Sequence, residues 1–197
     1  MSSTWKVGVI GLGIMGRRML EHMGRHEAFE VVAAWDPSPE ARAQAARIGP
    51  VASMVETPEA VIAAADVVYL ACPPAPRKAY ALEAAAQGKA VFLEKPLGVD
   101  VAESRDLAER LAAAGVPAAV NFTQAAGAAL AAVLADDARG EDRGVDIVVT
   151  YPHWPRAWQI EADWLRFAAE GGYVREVISH FLFFSARVLG PLELVWA

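Results

Sequence analysis

Gly11-Leu12-Gly13-Ile14-Met15-Gly16 is a G-x-G-x-x-G turn placed between an apolar β-branched run and a helical stretch. Each glycine has a separate job in such a turn. The first permits the tight reversal, the second lets a pyrophosphate approach the backbone, and the third lets helix and strand pack closely. Unpaired N–H groups at the helix start then meet the phosphate charge. Gly11, Gly13, Ile14, Met15 and Gly16 are therefore expected to seat a nicotinamide dinucleotide. The competing reading is a tight turn in some other doubly wound protein. Asp36 follows the second predicted strand at the distance expected of a ribose-binding acid. Its carboxylate can accept hydrogen bonds from an adenosine ribose, whereas a 2'-phosphate there would meet like charge. NAD is favoured over NADP, a preference that Arg42 would weaken if it faced the pocket. Asp36 is also read as a turn or capping residue before Pro37.

Two later segments end predicted strands and so point to the same edge. Cys72-Pro73-Pro74 can line a cofactor channel or form an ordinary rigid loop. No helix-start position or histidine partner argues for a nucleophilic Cys72. Glu94-Lys95-Pro96 offers a lysine able to bond a nicotinamide ribose and a substrate oxygen, or to support proton transfer. By itself Lys95 can equally be an external salt-bridge lysine. Glu94 can orient it or satisfy the strand end.

These residues need a scaffold that brings strand ends together. Val7 to Ile10 and Val31 to Ala34 enclose the turn and a helix from Ile14 to about Arg25, which is one βαβ unit. Further strands are expected at Val67 to Ala71, Ala90 to Glu94 and Ala118 to Phe122, with a weaker one at Val51 to Met54. Helices are expected from near Pro58, Pro76 and Val101. Apolar strands alternating with helices predict an α/β Rossmann domain over residues 1–122 with a parallel sheet covered on both faces.

The pattern changes after residue 122. Gly127 to Ala135 and Ile160 to Ala169 read as helices, Val145 to Tyr151 as a strand, and Val174 to Leu189 as a buried helix ended by Gly190-Pro191. Leu192 to Trp196 reads as the start of another strand. Residues 123–197 are thus expected to begin a second, α+β domain whose sheet is incomplete within this sequence. Trp154, Trp158 and Trp164 read as a packing cluster or a substrate wall. They lack the basic surroundings of a nucleic-acid platform.

The net charge of -6 gives no electrostatic reason to expect nucleic acid or an anionic membrane as partner. One cysteine excludes an internal disulfide framework and a multi-cysteine zinc site; no metal is expected, and a reducing, cytoplasmic setting suits the chain. No signal peptide or membrane span is read. Alanine accounts for much of the 55% hydrophobic content.

The first motif, Gly88 to Leu97 with its E-K-P, and more loosely Glu170-Gly171-Gly172 through His180 resemble the glucose-fructose oxidoreductase and inositol dehydrogenase-like (Gfo/Idh/MocA) family. The E-K-P segment is the most specific of these. The resemblance implies a nicotinamide-dependent oxidoreductase acting on a hydroxyl/carbonyl pair of a sugar, polyol or related small molecule, with possible homo-oligomers through the C-terminal domain. It implies that Lys95 stands between cofactor and substrate and that His180 transfers the proton. Glu176 takes the place of an aspartate in many members, and its four-residue spacing from His180 predicts one helix face. Without the resemblance His180 reads more readily as a core histidine.

Arg77 replaces a common histidine, Gln124 a common arginine and Phe184 a common acid; together they predict a less polyol-like pocket. Family members also usually continue through a large C-terminal sheet. Two alternatives remain open: a dinucleotide-binding or sensing protein with little or no catalysis, and elimination or hydrolysis through transient substrate oxidation.

Overall fold

The computed structural model describes residues 4–48, 53–136 and 145–196. The chain divides into two compact units, Met1–Val120 and Asn121–Ala197.

The first unit alternates strands and helices: β1 (Trp5–Ile10), α1 (Ile14–Met23), β2 (Phe29–Trp35), α2 (Pro39–Ala45), α3 (Pro58–Ala64), β3 (Val67–Leu70), α4 (Pro74–Ala86), β4 (Ala90–Glu94), α5 (Val101–Ala114) and β5 (Ala118–Asn121). The sheet order is β2-β1-β3-β4-β5, and the β1–β2, β1–β3 and β3–β4 pairs are parallel. β1 is an interior strand, paired on both edges, and its Val7 to Ile10 run is buried and can be covered from both sides. Val7, Val9 and Tyr69 face one core with Leu20 and Met23 of α1. Ile10, Val68, Leu70 and Leu93 face the other with Val61 and Ile62 of α3 and Ala81 and Ala84 of α4. The β1 neighbours are reached in opposite directions along the sheet, which makes the carboxyl ends of β1 and β3 a topological switch point.

The helices begin where side chains can replace missing backbone partners. Ser38 accepts from Ala41 N at 3.1 Å and starts α2, a helix not expected from periodicity; Ser38-Pro39-Glu40 carried its signal. Thr57 and Asp100 cap α3 and α5 in the same way. Of the weak strand expected at Val51 to Met54, residues 51 and 52 lie outside the described residues, and Met54 forms an isolated parallel bridge with Ala34.

The second unit departs further from expectation. It contains α6 (Thr123–Ala126) and α7 (Ala128–Ala135), then short 3-10 turns at Ala157–Gln159 and Asp163–Arg166, a π-helical turn at Val174–Ile178, and α8 (Ser179–Leu189). Val145 to Tyr151 and Leu192 to Trp196 are not strands: neither has a ladder partner among the described residues, and a strand is defined by one. Ile160 to Ala169 is not an α-helix either. Three-residue bonds such as Leu165 N to Ala162 O and Phe167 N to Trp164 O tighten it. Gln159 Oε1 also draws in the Arg156 backbone N and Nε at 3.3 and 2.8 Å.

The expected buried helix over Val174 to Leu189 is helical throughout, yet Val174, Leu182 and Phe183 are exposed. Trp154 meets Tyr173 edge-on at 5.2 Å, and Arg156 lies over Trp158 at 4.7 Å. No helix among the described residues is long and apolar enough to cross a membrane.

Candidate dinucleotide site

The carboxyl ends of β1, β2, β3 and β4 bring Gly11–Gly16, Asp36, Cys72-Pro73 and Glu94-Lys95 to one edge of the first unit. Gly11 leaves β1 with φ 96°, and a Cβ there would lie 2.4 Å from Cys72 N. The turn therefore passes directly over the end of β3. Gly16 closes it: a Cβ on that residue would meet the Gly11 carbonyl oxygen. Gly13 is different, since a Cβ there would find nothing within 4 Å. Beside that open space α1 begins with no side-chain cap and no acid in its first turn. Ile14 and Met15 thus begin a helix whose positive end no acidic side chain of its own first turn offsets. A pyrophosphate fits this cradle.

Asp36 uses its two oxygens on opposite sides. Oδ2 accepts from Leu12 N at 2.8 Å and Oδ1 from Ser38 N at 2.9 Å. It is therefore the turn residue its position before Pro37 suggested, and the same carboxylate braces the glycine turn. Each carboxylate oxygen has a further lone pair, so these bonds leave acceptor capacity for ribose hydroxyls. Arg42 turns back on the Asp36 carbonyl, with Nη1 at 2.7 Å.

Cys72 is buried in the sheet core, and burial pushes its thiol above the ordinary range while the nearby Arg77 opposes the shift. Its carbonyl accepts from Arg77 Nη2, so neither the sulfur nor that oxygen points to open space. Pro73 is exposed at the head of α4. Glu94 is buried too, its Oε1 accepting from the Tyr69 hydroxyl at 2.5 Å. The Tyr69 phenol is pushed far up, first by burial and then by the negative charge and hydrogen bond of Glu94. Lys95, one residue past β4, is half-buried, and its peptide bond to Pro96 is cis.

Arg77 is one of three replacements expected together to make the pocket less polyol-like. Instead it is 2% exposed and turned into the protein. Nη2 donates to Cys72 O at 2.5 Å, and Nη1 donates to Glu94 O at 2.5 Å and to Pro96 O. Burial lowers its pKa, against the opposing influence of Cys72 and Glu94. The sequence did carry a signal: Arg77 shares the buried face of α4 with Pro74, Ala81 and Ala84.

Glu176 and His180 belong to the second unit, where they are 3% and 9% exposed. The π-helical turn ends at Ile178, so the pair spans a change of helical pitch and not the uniform α-helix expected of its spacing. His180 meets Phe122 edge-on at 5.7 Å, and Phe122 in turn stacks on Phe183 at 4.4 Å. Gln124 is exposed, and Phe184 lines a cleft of about 500 Å³ with Phe181, Ser185 and residues 145–151. Among the described residues no group of His, Cys, Asp or Glu could hold a metal ion.

The model of the Gfo/Idh/MocA oxidoreductase family, NAD-binding Rossmann fold, matches residues 5–122. An inositol 2-dehydrogenase from Cereibacter sphaeroides is 34% identical over 114 residues, which is 57% of this chain and 34% of that protein. The WlbA dehydrogenase from Bordetella pertussis, solved with NADH and UDP-GlcNAcA, shares the fold with TM-score 0.80 at 23% identity, over 98% of this chain and 57% of that one. GenD2 from gentamicin A biosynthesis, solved with NAD, gives TM-score 0.75 at 22% identity, over 96% and 55%. The chain thus covers a third of the matched inositol 2-dehydrogenase and little more than half of these two solved proteins.

Proposed function

The chain belongs to the Gfo/Idh/MocA oxidoreductase family with its NAD-binding Rossmann fold, and from that premise we propose that it works as an NAD-dependent dehydrogenase or reductase. The substrate is a hydroxyl/carbonyl pair on a sugar, polyol or related small molecule. The observation that carries this reading is the open space at Gly13 beside an uncapped helix start. Asp36 supports NAD over NADP, because a 2'-phosphate would have to share its surroundings with a carboxylate. The inositol, UDP-sugar and NAD(H) named with the similar proteins support the substrate and cofactor classes.

The nicotinamide, when bound, supplies or accepts the hydride. The chain's own residues then manage position and protons. The first-turn amides of α1 hold the pyrophosphate, and Asp36 accepts from the ribose. Lys95 Nζ donates to the reacting oxygen and favours negative charge developing on it. A His180 ring nitrogen takes the hydroxyl proton in the oxidation direction, with Glu176 orienting the ring.

The test is a matched NADH and NADPH fluorescence titration followed by an alcohol and carbonyl screen. NADH should bind more tightly, and His180→Ala should lower kcat by about 10²- to 10⁴-fold with NADH affinity retained. Tight NADH binding without turnover of any compound would remove the dehydrogenase reading and leave a dinucleotide-binding protein.

A further inference from the structure

We propose that Arg77 is a positioning residue for Lys95, an inference that rests on the reading of Lys95 as the lysine beside the nicotinamide. The carbonyls of Glu94 and Pro96, the residues on either side of Lys95, both accept from Nη1 of this one buried guanidinium. Nη2 ties the same group to Cys72 O, at the end of β3. The main chain around Lys95 is therefore pinned on both sides and anchored to the neighbouring strand, beneath the glycine turn that overlies Cys72. Tyr69 holds the Glu94 side chain as well.

A general packing role does not account for this choice of residue. An apolar side chain of similar volume on the buried face of α4 would avoid the cost of desolvating a charge. A lysine would keep the charge but not the planar fork, so it could not span three carbonyls from two strand ends. What arginine adds is a fixed geometry for the backbone that carries Lys95. The required order is worth having where a side chain must meet a ligand within a fraction of an ångström.

The test is a double-mutant cycle on NADH dissociation constants with Arg77→Lys, Lys95→Met and the combination, accompanied by amide hydrogen exchange of the free proteins. Arg77→Lys should weaken NADH binding about tenfold when Lys95 is present, the equivalent of one charge-assisted hydrogen bond. With Lys95 already replaced, the further change should be less than about twofold. Exchange should rise in peptides covering residues 94–99 and stay unchanged in β1. A loss of the same size in both backgrounds, or exchange rising equally in β1, would overturn the positioning role and leave Arg77 a general structural residue. If the unaltered protein bound no NADH, the dinucleotide reading itself would fall, and this inference with it. Arg77→Met, which removes every bond, is the harsher variant; Arg77→Lys keeps the test usable if Arg77→Met does not fold.

Discussion

Gly16 lies so close to Gly11 that a Cβ built on it would sit 1.8 Å from the Gly11 carbonyl oxygen. The turn is closed by backbone against backbone, with no flexible side chain to yield. Gly13, three residues earlier, faces open space. The motif thus contains a structural glycine and a ligand-facing glycine, and the two should fail differently.

Gly16→Ala should destabilise the fold by about 3 kcal/mol or more, because no rotamer change can relieve the overlap. Gly13→Ala should leave the unfolding midpoint close to that of the parent, since its φ of -66° suits alanine. It should nevertheless weaken NADH binding by about tenfold or more, with the methyl occupying the pyrophosphate approach. Urea unfolding and NADH titration measure the two effects. Unaltered NADH affinity in Gly13→Ala would mean the phosphate sits elsewhere.

Asp36→Ala should change stability and cofactor choice together. It strips acceptors from Leu12 N and Ser38 N, which should cost about 1–3 kcal/mol. It also removes the charge that opposes a 2'-phosphate, while Arg42 stays adjacent. The ratio of NADH to NADPH affinity should fall by about tenfold or more. Parallel titrations with both cofactors check it, and an unchanged ratio would show that Asp36 does not set the preference.

The Tyr69–Glu94 bond should produce an alkaline signature. Burial and Glu94 raise the folded pKa of Tyr69, so its contribution is fully present below the unfolded value of about 10 and is lost as pH climbs above it. The unfolded chain releases the phenolic proton first and is favoured there. Tyr69→Phe should be less stable than the parent by about 1–3 kcal/mol near neutral pH, with a gap that narrows above about pH 10. Urea midpoints across that range decide it; a gap independent of pH would show that Tyr69 does not titrate differently in the two states.

Much of the first unit was readable locally. β1, β2, β3 and β4 are short apolar runs, and α3 and α5 start at Thr57-Pro58 and Asp100, where the cap is written in adjacent residues. The second unit was less readable because its expected strands depend on partners distant in the chain. Its π-helical turn gave no local sign, since Val174 to Leu189 has a periodicity that an unbroken α-helix would satisfy equally well.

The candidate site divides along the same line. A glycine turn between strand and helix, an acid after β2 and a lysine after β4 are sequence properties, because each follows from the type of residue at the end of a local element. Which glycine must be bare for packing and which for a ligand was decided by the approach of Cys72 to Gly11 and of Gly11 to Gly16. The clasp of Arg77 on Cys72, Glu94 and Pro96 was likewise a tertiary matter, since two of its three acceptors lie 17 and 19 residues away. Local patterns determine where a helix or strand begins; only the packed sheet determines which distant carbonyls a buried cation will find.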